Sequence, residues 1–128
     1  MKAERRDIGA AARALKALAD VNRLRAAALL ASAGRELCVC ELVDAMRESQ
    51  YNVSRYLGAL CTAGLIRKEK KGRWAMYALA TDKGPLAEYI GRLVRPRPCC
   101  AVIARDIARL ERRLALRRSG VCVVGGNC

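Results

Sequence analysis

Three groups of residues in this chain carry chemistry. Ser49, Gln50, Asn52, Ser54 and Arg55 crowd one short stretch. On the N-terminal half of a helix, Gln and Asn can pair bidentately with adenine, and Arg with guanine, in a DNA major groove. Downstream, five of the seven residues in Arg67-Lys68-Glu69-Lys70-Lys71-Gly72-Arg73 are cationic. Presented on a turn, Lys68, Lys70, Lys71 and Arg73 would meet the phosphates flanking such a groove. The third group is the cysteines, seven in all: Cys38, Cys40, Cys61, Cys99, Cys100, Cys122 and Cys128. Thiols in a reducing compartment are buried small hydrophobes, metal or metalloid ligands, or redox sensors, and an odd number does not suit a fully paired disulfide set. Histidine is absent. That removes the commonest general base, the commonest zinc ligand and every imidazole-centred triad, and leaves thiolates and carboxylates as the only metal ligands.

Composition narrows the class. A chain of 128 residues, 53% hydrophobic and 29% charged, has the size of one compact domain. Twenty-five Lys and Arg against 12 Asp and Glu leave a net charge of +13, which points to a polyanionic partner rather than to an ordinary metabolic enzyme. With no Gly-rich phosphate loop and no redox Cys-x-x-Cys, no enzyme activity is expected. The start, Met1–Gly9, is charged and lacks the apolar core of an export signal, and no apolar run approaches roughly 18 residues. A cytoplasmic protein without a membrane partner is therefore expected. Phe is missing and aromatics make up 4%, so the core must come from Leu, Ala, Val and Ile, which favours helices.

The elements that must position these groups follow from periodicity and punctuation. Ile8–Ala19 has apolar residues at helical spacing, with Arg13 and Lys16 on the other face. Asp20 sits where an N-cap belongs, before an Ala/Leu-rich helix over Asn22–Ala33 that Gly34 ends. Val39, Leu42, Val43 and Met46 give one face of a third helix, beginning near Cys38–Cys40 and ending around Glu48. Ser49 caps a fourth, which runs to Ala63 with Val53, Leu57 and Leu60 on its inner side and Gly64 after it. Leu65–Lys70 and Arg73–Ala80 read as the strands of a basic hairpin about Lys71-Gly72. Gly84-Pro85 opens a fifth helix that Pro96 and Pro98 close. A sixth runs from Cys99 or Ala101 to Arg118, with Ile103, Ile107, Leu110 and Leu114 as a seam and its arginines on a solvated outer face.

The order α-α-α-α-β-β-α-α predicts a mainly helical winged helix-turn-helix with a small β-hairpin, a homodimer through its terminal helices. Residues 1–118 form the DNA-binding and dimerisation domain, and 119–128 a flexible cysteine-containing tail. A polar helix face on its own is ordinarily just solvated; followed directly by a basic hairpin, it is expected to read DNA.

Glu36-Leu37-Cys38-Val39-Cys40-Glu41-Leu42, followed by Ser49-Gln50-Tyr51-Asn52-Val53-Ser54-Arg55-Tyr56-Leu57, strongly resembles the ArsR/SmtB family of metal-sensing repressors, in its arsenic-responsive branch. The resemblance continues through Leu18–Arg25, Ala63-Gly64-Leu65-Ile66 and Lys71–Tyr77, and so covers about residues 10–80. It implies a homodimer that sits on an inverted-repeat operator in double-stranded DNA and leaves when As(III) or Sb(III), acting as an effector rather than a permanent cofactor, binds cysteine thiolates in the third helix. Two departures stand out. Val43 occupies the place of a third cysteine in the family's three-cysteine version, and Cys99-Cys100 resembles a vicinal pair that some relatives use for arsenicals.

The resemblance makes Cys38 and Cys40 the first candidates for metalloid ligands, since thiolates suit soft, thiophilic ions. On an ideal helix residues two apart point about 200° apart, so the pair is expected to grip one small ion only if the first helical turn distorts. Cys99 and Cys100 are a second or completing site, or else small residues at an interface; as thiols at a helix N-terminus they are expected to have depressed pKa values. Cys61 reads as incidental, while Cys122 and Cys128 either supply a third thiolate or bind nothing. A methylated arsenical has two exchangeable positions and needs only two thiolates. Alternatives are a thiol-redox-sensing repressor on the same scaffold and a cadmium or lead sensor, the latter weakened by Ala59 and Ala63 where its cysteines are expected.

Overall fold

The computed structural model describes residues 8–80 and 84–118; the tail expected over 119–128, with Cys122 and Cys128, lies outside the described residues. The chain order is α1 (Ile8–Leu18), α2 (Val21–Ala33), β1 (Leu37–Cys38), α3 (Val39–Met46), α4 (Gln50–Thr62), β2 (Ile66–Lys71), β3 (Trp74–Leu79), α5 (Pro85–Arg92) and α6 (Ala101–Leu114). The strands make one antiparallel sheet in the order β1-β3-β2. The expected α-α-α-α-β-β-α-α order is therefore corrected by one element: a two-residue strand precedes the third helix and pairs Leu37 with Tyr77 and Cys38 with Met76. No helix among the described residues is long and apolar enough to cross a membrane.

Local signals account for most boundaries. The Asp20 carboxylate accepts from the N–H groups of Asn22 and Arg23 at 3.1 and 3.0 Å, capping α2, and Gly34 closes that helix at φ 65°. Ser49 Oγ accepts from the Asn52 N–H at 3.1 Å and starts α4. The hairpin turn lies one residue later than expected: Lys71 still pairs with Trp74, and the turn is Gly72-Arg73 with Gly72 at φ 62°. Ala26–Ala31 of α2 are all buried, and around them pack Leu37, Leu42, Met46, Val53, Leu57, Leu60, Ile90 and Leu110 in one core.

The third helix stops at Met46, short of Glu48, because Arg47 turns into the left-handed region at φ 55°. An L-residue there is disfavoured by roughly 1–2 kcal/mol, while glycine loses more chain entropy on folding. Arg47→Gly is therefore expected to stabilise the protein by about 0.5–1 kcal/mol, read as a higher urea midpoint at unchanged slope. A midpoint that stays or falls would contradict this.

Helix α6 departs most from expectation. Its seam residues Ile103 and Leu110 are buried in this chain's own core, and so are Asp106 and Arg113. Of the arginines expected on a solvated face, Arg105, Arg112 and Arg118 are exposed, but others turn inward onto α3: Arg109 Nε donates to the Ala45 carbonyl at 2.7 Å and Arg113 Nε to Asp44 at 2.6 Å. Beyond the helix end, Arg117 donates twice to the buried Glu41 at 2.6 Å. Desolvated guanidinium groups need acceptors, and those of α3 lie within reach only once the chain has folded.

Candidate nucleic-acid interface and thiol pair

Helices α3 and α4 are joined by the three residues Arg47–Ser49 and followed by the β2–β3 hairpin, a helix-turn-helix with a wing. On α4, Gln50, Ser54 and Arg55 are exposed, while Val53, Leu57 and Leu60 anchor the opposite side. Ser49 is exposed too, but its hydroxyl is engaged as the cap. Asn52 is half-buried, and its Nδ2 donates to Glu48 Oε1 at 3.2 Å, an oxygen that also accepts from the Tyr56 hydroxyl at 3.3 Å. That bond engages one of the two Nδ2 hydrogens of Asn52. Tyr51, 73% exposed, was not singled out by spacing arguments, yet its ring lies under the Arg55 guanidinium at 5.6 Å. The i, i+4 relation of an aromatic and an arginine was the available signal.

The wing cations divide. Lys68 stands over the Tyr77 ring at 5.8 Å and Arg73 over the Trp74 ring at 5.3 Å, both exposed, and Lys70 shares a strand face with Lys68. Lys71 instead pairs with Glu36 at 2.8 Å, a contact that raises the lysine pKa and lowers that of the glutamate. Of the four wing candidates, Lys71 is thus the one already matched to an acid.

Cys38 and Cys40 come together without any distortion of a helix. Cys38 ends β1 in an extended conformation, φ −91° and ψ 165°, so only Cys40 lies on the helix proper. Their Sγ atoms are 3.4 Å apart, both buried, with Trp74 and Met76 of the wing packed against them. The expectation that the first turn must distort placed both residues on one ideal helix, and the unanticipated strand removes that premise. Under the pair lies Glu41, whose Oε1 accepts the Cys38 N–H at 3.1 Å and whose carboxylate is held by Arg117. Burial pushes the Glu41 pKa up, but the Arg117 hydrogen bonds, the Cys38 amide and the charges of Arg117 and Arg113 outweigh it, and the net shift is downward. Ligation requires both side chains as reduced thiolates. Among the described residues no group of three or more Cys, Asp or Glu converges as a metal site.

Cys99 and Cys100 are exposed just before α6, with Cys100 as its N-cap. The Ile103 amide, then the Cys99 side chain, lower the Cys100 pKa, although no close cap hydrogen bond forms; desolvation, then Cys100 itself, raises that of Cys99. Only one thiol of the pair is depressed. Cys61 is half-buried near the end of α4, and burial raises its pKa. Iodoacetamide at neutral pH is therefore expected to alkylate Cys100 at least several-fold faster than Cys61, measured by peptide mass spectrometry. Equal rates would contradict the assignment.

Comparison with known proteins matches residues 20–68 to the model of the family described as "Bacterial regulatory protein, arsR family". The chain is 45% identical over 64 residues to the arsenic resistance transcriptional regulator ArsR2 of Pseudomonas putida, covering 50% of this chain and 55% of that protein. It is 45% identical over 65 residues to the arsenical resistance operon repressor of Escherichia coli, covering 51% and 55%. With the arsenical resistance operon repressor of Bacillus subtilis the match extends over 90 residues at 37% identity, 66% of this chain and 85% of that protein. The chain thus spans about half the length of the first two relatives and most of the third.

Proposed function

The chain belongs to the arsR family of bacterial regulatory proteins, and from that premise we propose that it is a transcriptional repressor that binds operator DNA as a homodimer and is released by trivalent arsenic or antimony. The observation that carries the effector assignment is the 3.4 Å separation of the Cys38 and Cys40 sulfurs at the junction of β1, α3 and the wing. Two soft donors at that spacing suit a thiophilic ion with two exchangeable positions, such as a monomethylated arsenical. Inorganic arsenite with three positions requires a third thiolate, for which Cys99 and Cys100, in this chain or its partner, are the described candidates. Gln50, Asn52, Ser54 and Arg55 read bases, while Lys68, Lys70 and Arg73 hold phosphates and Ser49 presents the helix end.

Release needs a difference in DNA affinity between the liganded and free states. Two short routes are available: Cys38 belongs to a strand paired with β3 of the wing, and Cys40 lies on the helix joined by three residues to α4. Dimerisation is supported by apolar surface on the terminal helices. Ile8 and Leu15 of α1 and Tyr89 of α5 are 86%, 56% and 52% exposed, beside a cleft of about 500 Å³ that α1 and α5 line together.

The test is fluorescence anisotropy of the reduced protein on a duplex it selects from a random-sequence pool, titrated separately with arsenite, methylarsenite, antimonite, Cd²⁺ and Zn²⁺. Release by the arsenicals or antimonite, and not by Zn²⁺, is the expected outcome. The same 3.4 Å approach of the Cys38 and Cys40 sulfurs supports a second reading, a thiol-redox repressor. In that case peroxide releases the DNA, dithiothreitol restores binding, and arsenite is inert.

A further inference from the structure

Asp106 is a wholly buried carboxylate on the inner face of α6, beside Ile103, Leu110 and Arg113. A buried acid is rare unless paired, and a well-packed apolar group in its place is often no less stable. Its partners are two arginines from different elements. Arg25 of α2 donates to it twice, Nε to Oδ2 at 2.8 Å and Nη2 to Oδ1 at 3.0 Å, and Arg109 Nη2 donates to Oδ1 at 2.8 Å.

Both guanidinium groups then reach the same place. Arg25 Nη2 donates to the Met46 carbonyl at 2.8 Å and Arg109 Nε to the Ala45 carbonyl at 2.7 Å. These are the last carbonyls of α3, which have no partner within the helix and sit at the negative end of its dipole. The next carbonyl inward to be met at this end, Val43, accepts the Arg47 N–H at 2.9 Å. A further bond, Arg25 Nη1 to Asn22 Oδ1 at 2.9 Å, fixes the arginine to α2. Without the carboxylate, two like charges would face one helix end with nothing between them. With it, they form a clamp between α2, α6 and the end of α3.

We propose that Asp106 is a positioning residue for the DNA-reading helix: through Arg25 and Arg109 it sets the end of α3 and thereby the direction in which α4 leaves the turn. The connection is three residues long, with Arg47 left-handed and Ser49 as the cap of α4, so a small rotation of the last α3 carbonyls passes directly into α4. Phosphate contacts from the wing tolerate such a rotation, whereas base contacts do not. Because Cys100 is the N-cap of α6, the clamp joins the exposed thiols to the reading head through one helix. The inference rests on the DNA-binding function proposed above.

Asp106→Asn keeps the side chain's size and removes its charge. Arg25→Lys keeps the charge but loses the two-point grip on Asp106 and the bond to Asn22. For each variant, anisotropy gives the Kd on the duplex selected by the wild-type protein and on a shuffled duplex of the same composition, with circular dichroism melts to establish folding. The expected result is a shuffled-duplex Kd close to that of wild type and a specific-to-shuffled ratio reduced at least about tenfold, comparable to losing recognition of one base pair. A purely structural role would lower Tm and leave that ratio unchanged in the folded protein. An unchanged ratio in both folded variants overturns the inference. If Asp106→Asn does not fold, Arg25→Lys alone decides. A wild-type protein that does not distinguish the two duplexes refutes the DNA-reading function itself, and the inference with it.

Discussion

Replacing Cys38 or Cys40 with serine is expected to leave DNA binding by the reduced protein near that of wild type and to abolish its release by methylarsenite. In the unsubstituted protein, ligand binding should weaken the DNA complex by about 5–150-fold, the usual range of an allosteric coupling. In either serine variant that factor should fall to about 1, because a single sulfur no longer chelates and a hydroxyl is a poor ligand for a soft ion. Serine preserves the size of the buried side chain, and neither residue lies on the exposed face of α4 or at the tip of the wing. Loss of DNA binding is therefore not expected. The control is the double substitution of Cys99 and Cys100, which should retain release by methylarsenite and weaken the response to inorganic arsenite if these residues complete the site. A Cys38/Cys40 double variant still released by methylarsenite would remove the pair from the sensor.

Glu41→Ala is expected to be the most destabilising single substitution in the protein, at about 3–5 kcal/mol, the range found when one member of a buried ion pair is removed. The carboxylate is wholly buried and the Arg117 side chain is 7% exposed. The change removes two hydrogen bonds and the negative charge from a desolvated guanidinium that still donates to the Glu36 carbonyl, and removes the Glu41 acceptor of the Cys38 N–H. Against a typical total of about 5–15 kcal/mol, such a loss should show as a large fall in urea midpoint. Replacing both partners with methionine should recover most of it, since removing only one member of a buried ion pair is the main cost. A fall of less than about 1 kcal/mol in Glu41→Ala would mean that Arg117 finds another acceptor at no cost.

Much of this architecture was legible in the residues alone, wherever the signal is local. The caps Asp20 and Ser49, the stop at Gly34 and the Val53–Leu57–Leu60 stripe each act within a few positions of themselves, and the helices begin and end where those residues stand. The strand Leu37–Cys38 was not legible. Two residues carry no period, and the strand exists only because Tyr77 and Met76, some forty positions away, pair with it. Missing the strand also misplaced Cys38 on a helix, so the proximity of the two sulfurs was missed with it. The inward arginines of α6 failed for the same reason: charge on a helix reads as solvent exposure until the acceptors on α3, 64 to 76 positions away in sequence, are in place. At the reading face, residue types identified Gln50 and Arg55, but only three-dimensional packing shows Asn52 held by Glu48 and Lys71 by Glu36.

The central claim, DNA binding governed by the Cys38–Cys40 pair, is tested most directly by one titration: reduced protein on its selected duplex, methylarsenite added stepwise, anisotropy recorded for the wild type and the two serine variants. Release of the wild type with full retention by both variants is the predicted result. Retention of the wild-type complex at saturating methylarsenite, or release of all three proteins alike, would contradict it.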